Sequence, residues 1–369
     1  MVSVIGFGIS LLLLLYPYLI YPQLLKLLPK HREPGAKPAE DQKYALLFCA
    51  YNEAENLPGT LDDLRALKSL WPDLDILAFN DLSHDGTGPL LDNASDILNP
   101  IHGSRRSGKA AGIAKMLAHT QADIVLFMDA NTRLNVASVP NFRRYFADSS
   151  IGAVAARVEL PSAGKTATAG ISSAFWRLEE TIKELESRSG STMGCDGALW
   201  GIRRYLYPRF AHHVSDDFRP SMEPIFHGLR VVSAPDIHAT EAAGSDTGSE
   251  FVRKIRIACG AWHAHSDMRL LVSRLSWMQR FKYFSHKFLR WFSFLWLIMT
   301  VLFSVAIAWQ MGLFALLVVT GSISALAALR NISPFNKIAE ISIAMLATQI
   351  GIFKAVSGKT QAIWTTVRS

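Results

Sequence analysis

Residues 102–131, HGSRRSGKAAGIAKMLAHTQADIVLFMDAN, decide how the chain is read. Gly103, Gly108 and Lys109 fall at the G-x-x-x-x-G-K spacing of a phosphate-gripping loop, and the apolar run ending in Asp129 imitates the strand such proteins use for magnesium. Two features oppose that reading. Ala110 stands where the motif needs a hydroxyl for the metal, and the lead-in ILNPIH is a poor strand because of Asn99 and Pro100. What survives is a basic loop entering a helix over 109–120, with Arg105, Arg106 and Lys109 placed to meet phosphate at the helix N-terminus. A strand then delivers Asp129 and Asn131 to its carboxyl end.

The same alternation extends outward from this stretch. YALLFCA (44–50) is a short buried-strand pattern, and Leu57, Leu61, Leu64 and Leu67 share one face of a helix over 55–70. LDILAFN (74–80) and IGAVAARV (151–158) supply two further strands. This succession predicts an α/β, Rossmann-like domain on a parallel-type sheet, with ligands at the carboxyl ends of its strands. Those ends carry Asn52 and Glu53, then Asn80, Asp81 and Asp85, then Asp129 and Asn131. A single loop carboxylate is ordinarily just solvated. Three successive strand ends of this kind point to one crevice.

With 369 residues, 50% of them hydrophobic, the chain exceeds a typical soluble domain in both length and apolar content. VIGFGISLLLLLYPYLI (4–20) carries no charge, ends among Tyr16, Tyr18 and Tyr21, and is followed by Lys26, Lys30, His31 and Arg32. It predicts a spanning helix with an aromatic belt, the N-terminus outside and the next residues in the cytoplasm. A cleaved signal peptide is the lesser reading, since no basic n-region precedes the run and no small-residue cleavage site follows it. Three cysteines, Cys49, Cys195 and Cys259, lack metal-type spacing and suit a reducing compartment. The net charge of +7 suits a surface facing anionic lipids; its Lys and Arg residues form no dense block of the kind nucleic acid would call for.

Towards the C-terminus, MRLLVSRLSWMQRFKYFSHKFLRW (268–291) mixes basic and aromatic residues and predicts an amphipathic helix lying on the membrane surface. Two apolar runs, 292–309 and 311–329, predict a pair of spanning helices. The stretch 338–353 holds Glu340 and Gln349 and precedes Lys354, Lys359 and Arg368, so it is expected to be interfacial or re-entrant with a cytoplasmic C-terminus. The expected division is a membrane helix over 1–28, a linker over 29–42, a catalytic domain over 43–266, an interfacial helix over 267–291, two membrane helices over 292–329 and a tail over 330–369.

The ordered series CAYNEAENLPGTLDDL, FNDLSHDGT, SRRSGKAAGIA, FMDANTRL, GCDGALWGIRR, VSDDF and EFVRKIRIACGAW resembles the family 2 glycosyltransferases, with their nucleotide-sugar-binding GT-A fold. FSHKFLRW and GKTQAIWTTVRS resemble the membrane-bound bacterial polysaccharide branch. The resemblance implies that Ala50, Asn52 and Glu53 line the nucleotide pocket, that Asp81 holds base or ribose, and that Arg106 and Lys109 lie near the donor. DAN stands in place of the family's D-x-D, so Asp129 and Asn131 are expected to hold Mg2+ or Mn2+ against the diphosphate, more weakly because Asn131 offers a neutral amide.

Asp217, with Asp216 beside it, takes the position of the general base that an acceptor hydroxyl needs at neutral pH; a helix-capping or solvated pair is the alternative. Gly194, Cys195, Asp196 and Gly197 resemble the acceptor loop. Arg253, Lys254 and Arg256 stand where processive synthases carry Q-x-x-R-W, with the Trp displaced to Trp262; Arg253 and Arg256 are expected at the phosphates or in closure of the site. His263 and His265 are expected at an interface rather than on a metal.

Together these imply an inverting, metal-dependent transferase at the bacterial inner membrane, catalytic domain in the cytoplasm, that moves a sugar from a nucleotide sugar, expected to be a UDP-sugar, to a lipid-linked saccharide acceptor. Three or four spanning helices are few to wall a polysaccharide channel. A processive synthase that oligomerises and an inactive membrane scaffold remain the alternatives, and the oligomeric state is not legible.

Overall fold

The computed structural model describes residues 1–31, 42–159, 167–241, 247–330 and 332–360. Most of the expected linker over 29–42 and the end of the tail, 361–369, lie outside the described residues. Helix α1 (Val2–Leu27) comes first, and the sheet domain opens with β1 (Tyr44–Ala50), buried at every position. It shows no alternation because both its faces are covered. Leu46 and Phe48 join one core with Leu57, Leu61, Leu64 and Leu67 of α2 (Leu57–Leu70), whereas Leu47 and Cys49 join the other.

The domain continues through β2 (Asp75–Asn80), β3 (Asn99–His102), α3 (Lys109–His119), β4 (Ile124–Asp129), β5 (Arg133–Leu134), β6 (Ile151–Glu159), α4 (Ala167–Arg188), β7 (Leu199–Arg203), α5 (Phe218–Phe226), β8 (Arg230–Thr240) and α6 (Thr247–Ser273). The strand order is β3-β2-β1-β4-β7-β6-β8-β5. Strands β1 to β4 are parallel, but β7 runs antiparallel between β4 and β6, and β5 is antiparallel to β8. The expected parallel-type sheet is therefore mixed. Met128 pairs with Leu199, so β7 starts where β4 ends, and this reversal lays residues 194–198 across the carboxyl ends of the parallel strands. ILNPIH corrects a second expectation: its last four residues form β3, where Pro100 is tolerated because β3 is an edge strand.

Beyond α6 come α7 (277–291), α8 (Ser293–Gln310), α9 (Phe314–Leu329) and α10 (Phe335–Val356). Helices α1, α8 and α10 are long and apolar enough to cross a membrane, while α9 is shorter. The stretch expected to be interfacial or re-entrant thus lies in a continuous helix of spanning length, whose buried Ala347, Gly351, Ile352 and Ala355 mark the half packed on α6.

The stretch 267–291, expected as one amphipathic interfacial helix, is divided between two elements. Its first residues belong to α6, and in α7 Lys282, Tyr283, Ser285, His286 and Trp291 are buried. The cause is charge: Glu179 and Glu186 of α4 draw the basic face of α7 inward. The three tyrosines expected as an interfacial belt also bond protein groups, Tyr16 to Ser285 at 3.0 Å, Tyr18 to Ser293 at 2.9 Å and Tyr21 to Glu186 at 2.5 Å.

Candidate active site

The strand ends expected to form one crevice are tied together by short hydrogen bonds. After β1, the Ala50 carbonyl accepts from the Asp81 N–H at 3.0 Å, the Asn52 N–H donates to Ser83 Oγ at 3.1 Å, and the Glu53 N–H donates to Thr87 Oγ1 at 2.9 Å. Burial raises the Glu53 carboxyl above its ordinary range. Asp81 is fully buried, and its oxygens accept from Arg106 Nη1 at 2.5 Å, from the Ser107 and Gly108 N–H groups at 2.7 and 2.9 Å, and from Ser107 Oγ at 3.1 Å. A phosphate-gripping loop would offer those amides to a ligand; here Asp81 takes them. Asp81, read from the resemblance as a base or ribose contact, thus anchors the basic loop and holds the Arg106 guanidinium over the Tyr51 ring, 3.2 Å from its centroid.

Lys109, the first residue of α3, reaches past this anchor. Its ammonium lies 2.6 Å from Asp129 Oδ1 and 3.0 Å from Asp216 Oδ2. Burial works against its charge, yet Asp129 and Asp216 outweigh that and raise its pKa well above the ordinary value. Asp217 caps α5: its Oδ1 accepts from the Phe218 N–H at 2.6 Å and from the Ser215 hydroxyl. Its other oxygen faces Gly197. A β-carbon built on Gly197 would lie 3.4 Å from Asp217 Oδ2, 3.4 Å from Lys109 Nζ and 3.5 Å from Asp129 Oδ2. Glycine at 197 therefore keeps open a space where a carboxylate from β4, a cation from α3 and a carboxylate from α5 converge. Burial, and next the Asp216 charge, push the Asp217 carboxyl up to about 6.

The other expected residues surround this space. Gly194 takes the left-handed φ of +99° beside the Phe218 ring, and the Cys195 N–H donates to Ser221 Oγ at 2.9 Å. Asp196 is held by Lys183 of α4 at 2.5 Å, and Lys183 also pairs with Glu180 at 2.5 Å. Arg253 pairs with Glu241 at 3.1 Å and Glu250 at 3.4 Å, while Arg256 is half-buried further along α6. Asn131 is half-buried in the turn after β4. Trp262 packs among His265, Phe288, Trp291 and Phe292; His263 meets the Lys359 carbonyl at 3.0 Å and His265 the Tyr283 hydroxyl at 2.9 Å.

Sequence reasoning missed Lys183, Glu180, Ser215 and Glu241. Glu241 follows β8, and burial pushes its carboxyl up to about 7 against the pull of Arg253. Among the described residues no three His, Cys, Asp or Glu side chains form a metal cage. The residues present still suit a divalent cation whose shell is completed by phosphate and water: Asp129 keeps Oδ2 towards the Gly197 space when Oδ1 takes Lys109, and three carboxylates there face one ammonium.

An acidic centre at the carboxyl ends of β1, β2 and β4, roofed by the loop into an antiparallel β7, is the arrangement of the GT-A fold. Residues 46–210 match the family model Glycosyl transferase family 2. The chain is similar in structure to mannosyltransferase PcManGT from Pyrobaculum calidifontis, solved in complex with GDP-Man and Mn2+, with a TM-score of 0.78 at 19% identity, over 97% of this chain and 100% of that one. That coverage takes in the apolar helices. Mannosyl-3-phosphoglycerate synthase from Rubrobacter xylanophilus (15% identity, 64% of this chain and 77% of that one) matches with a TM-score of 0.43. GalNAc-T7 with UDP, GalNAc and Mn2+ (12% identity, 68% and 57%) has a TM-score of 0.43 as well. No curated protein matches the sequence at a significant level.

Proposed function

We propose that the chain is a membrane-bound, inverting glycosyltransferase that moves a hexose from a nucleoside-diphosphate sugar, a UDP-sugar by the sequence reading, to a lipid-linked saccharide acceptor, working on the cytoplasmic face in glycan assembly. The observation that carries this reading is the convergence of Asp129 Oδ2, Lys109 Nζ and Asp217 Oδ2 on the space kept open by Gly197.

Asp217, with a carboxyl poised near 6, takes the proton of the acceptor hydroxyl as that oxygen forms its bond to the anomeric carbon. The bond from that carbon to the nucleoside diphosphate breaks on the opposite face, which inverts the configuration. Lys109 sets a fixed positive charge where the leaving phosphate gathers negative charge. Asp129 and Asn131 would hold Mg2+ or Mn2+, which when bound neutralises the departing diphosphate. Asp216, held by Lys109, orients this arrangement.

The test uses purified full-length protein in detergent, a panel of UDP- and GDP-sugars, and release of nucleoside diphosphate with and without EDTA. Donor turnover that EDTA abolishes is the expected result and excludes an inactive scaffold. No turnover with any donor would remove the proposal, and a ladder of long products would replace it by a processive synthase.

A further inference from the structure

The interior face of α7 carries more positive charge than its partners neutralise. Glu179 of α4 receives His286 Nε2 at 2.9 Å, Lys287 Nζ at 3.1 Å and Arg290 Nη1 at 2.5 Å. Glu186, two helical turns further, receives His286 Nδ1 at 3.1 Å and the Tyr21 hydroxyl at 2.5 Å. Lys282 donates to the carbonyls of Glu186, Ser189 and Ser191 at 2.8, 3.2 and 3.2 Å. Even with the histidine left out of the count, Lys282, Lys287 and Arg290 face two carboxylates. Arg290 Nη2 is buried and makes no hydrogen bond. Leaving a guanidinium N–H unmatched out of water is costly, so Arg290 keeps capacity for a further acceptor.

The place of this cluster narrows what that acceptor is. Arg290 stands three residues before α8 and lies 5.3 Å from the ring of Tyr18 in α1, so it sits where one helix of spanning length begins beside another. The Arg290 guanidinium also lies 4.9 Å from Phe175, an exposed ring on α4. On the other side, Lys287 Nζ lies 6.0 Å from the ring of Phe218, the residue whose N–H holds the carboxylate of Asp217. One cationic cluster therefore spans from the membrane edge to the foot of the proposed base.

We propose that Lys287 and Arg290 bind the phosphate of the lipid-linked acceptor, a long-chain alkyl phosphate or diphosphate, and so hold its saccharide end towards Asp217. This inference rests on the transferase reading above and names the chemistry of its acceptor. Arg290 suits the role because a guanidinium grips phosphate oxygens in pairs, and Lys287 supplies a point charge at the more open edge. The alkyl chain would lie along α1 and α8, whose outward residues are apolar.

The test is calorimetric titration of decyl diphosphate into the full-length protein in uncharged detergent micelles, with inorganic pyrophosphate and phosphatidylglycerol as the competing sources of phosphate. Decyl diphosphate should bind the wild type, and Lys287→Gln should weaken it by about tenfold or more while Lys287→Arg restores most of the affinity. Nucleoside diphosphate binding, which reads the donor pocket, should be the same in all three proteins. If Lys287→Gln does not fold, the wild type alone still decides: binding must be lost when decyl glucoside replaces decyl diphosphate and must fall as salt is raised.

Unchanged affinity in Lys287→Gln, equal affinity for inorganic pyrophosphate, or displacement by phosphatidylglycerol at equal concentration would each overturn the inference. A protein that hydrolyses donor yet ignores decyl diphosphate keeps the transferase reading and loses this one. A protein that uses no donor loses both.

Discussion

Two sides of the molecule meet at Gly197 and are held by different physics. On the donor side, β1, β2 and β4 deliver their loops by backbone pairing, and the polar residues bond across short gaps, as Asp81 does to residues 106–108. On the membrane side, α4 and α7 are joined through side-chain charges about a hundred residues apart in sequence, Glu179 with His286, Lys287 and Arg290. The first arrangement leaves Lys109, Asp129 and Asp217 at the edge of an already stable sheet. In the second the charged residues are themselves the packing. Substitutions on the donor side should therefore cost activity and spare the fold, whereas removing a carboxylate that holds the membrane side together should cost stability while leaving the donor pocket intact.

The largest expected effect tests the edge where the two sides meet. Asp217→Asn keeps the cap on α5 in shape but cannot take a proton, so the transfer rate should fall by roughly two to four orders of magnitude with donor binding intact. Asp216→Asn should cost less, because the proton acceptor stays in place. Initial rates set beside titration of an unreactive donor analogue would decide. Loss of donor affinity in Asp217→Asn would move the base elsewhere, with Asp196 next in line.

Glu179→Gln is the matching test on the membrane side. It leaves Lys287 and Arg290 buried without their carboxylate, which costs about 3–5 kcal/mol for a broken buried pair. A large drop in Tm with unchanged nucleotide affinity is expected. If Tm held while turnover fell, the contrast between the two sides would be lost.

Asp129→Ala comes next. It removes the charged protein ligand expected for the metal and leaves Lys109 with Asp216 alone, so Mn2+ affinity should fall by about tenfold or more, with donor binding and turnover following it. Asn131→Asp should strengthen Mn2+ binding or leave activity intact. Titration of Mn2+ in the presence of nucleoside diphosphate reads both, and full metal-dependent activity in Asp129→Ala would reject the assignment.

A smaller effect is readable in pH. A base whose carboxyl sits at about 6 is ionised above that value, so kcat/KM should rise with pH through about 6 and then level. Asp216→Asn removes the like charge that helps raise Asp217 and should move this limb to lower pH; Lys109→Met removes the cation that opposes the shift and should move it up. A limb that ignored both substitutions would belong to some other group.

What could be read from the sequence follows the same division. Strands β1, β2 and β4 were legible because two-sided burial writes a continuous apolar run, and the residues at their ends were legible because strand ends carry ligands in an open sheet. Strand β3 was hidden by Pro100, which says that one face of the ladder is unused and leaves open whether a strand exists. Strands β7 and β8 carry no clean period, since Gly201 interrupts the apolar run of β7 and Pro235 and Asp236 break that of β8. The basic face of α7 was legible as a face, but periodicity does not say what covers it. Glu179 and Glu186 cover it from a distant helix, and the pairings of Lys183 with Asp196 and of Arg253 with Glu241 likewise arise only through the fold.

The smallest effect concerns strain on the donor side. Leu82, between Asp81 and Ser83, has φ +58°, a left-handed conformation that costs a residue with a β-carbon roughly 1–2 kcal/mol. The turn is imposed from both sides, since the Ser83 N–H donates to Asn80 Oδ1 at 3.0 Å and Ser83 Oγ accepts from the Asn52 N–H at 3.1 Å. Leu82→Gly relieves the strain but gives back about 0.5–1 kcal/mol in unfolded-state entropy, so its stability should change by no more than about 1 kcal/mol. Leu82→Val sets a β-branched side chain in the same conformation and should be the less stable of the two, with weaker nucleotide binding because the 81–83 turn orients the basic loop. Thermal unfolding and nucleotide titration of the pair would measure this. Equal stability of the two variants would mean that the turn bears no strain and that the donor side is held by hydrogen bonds alone.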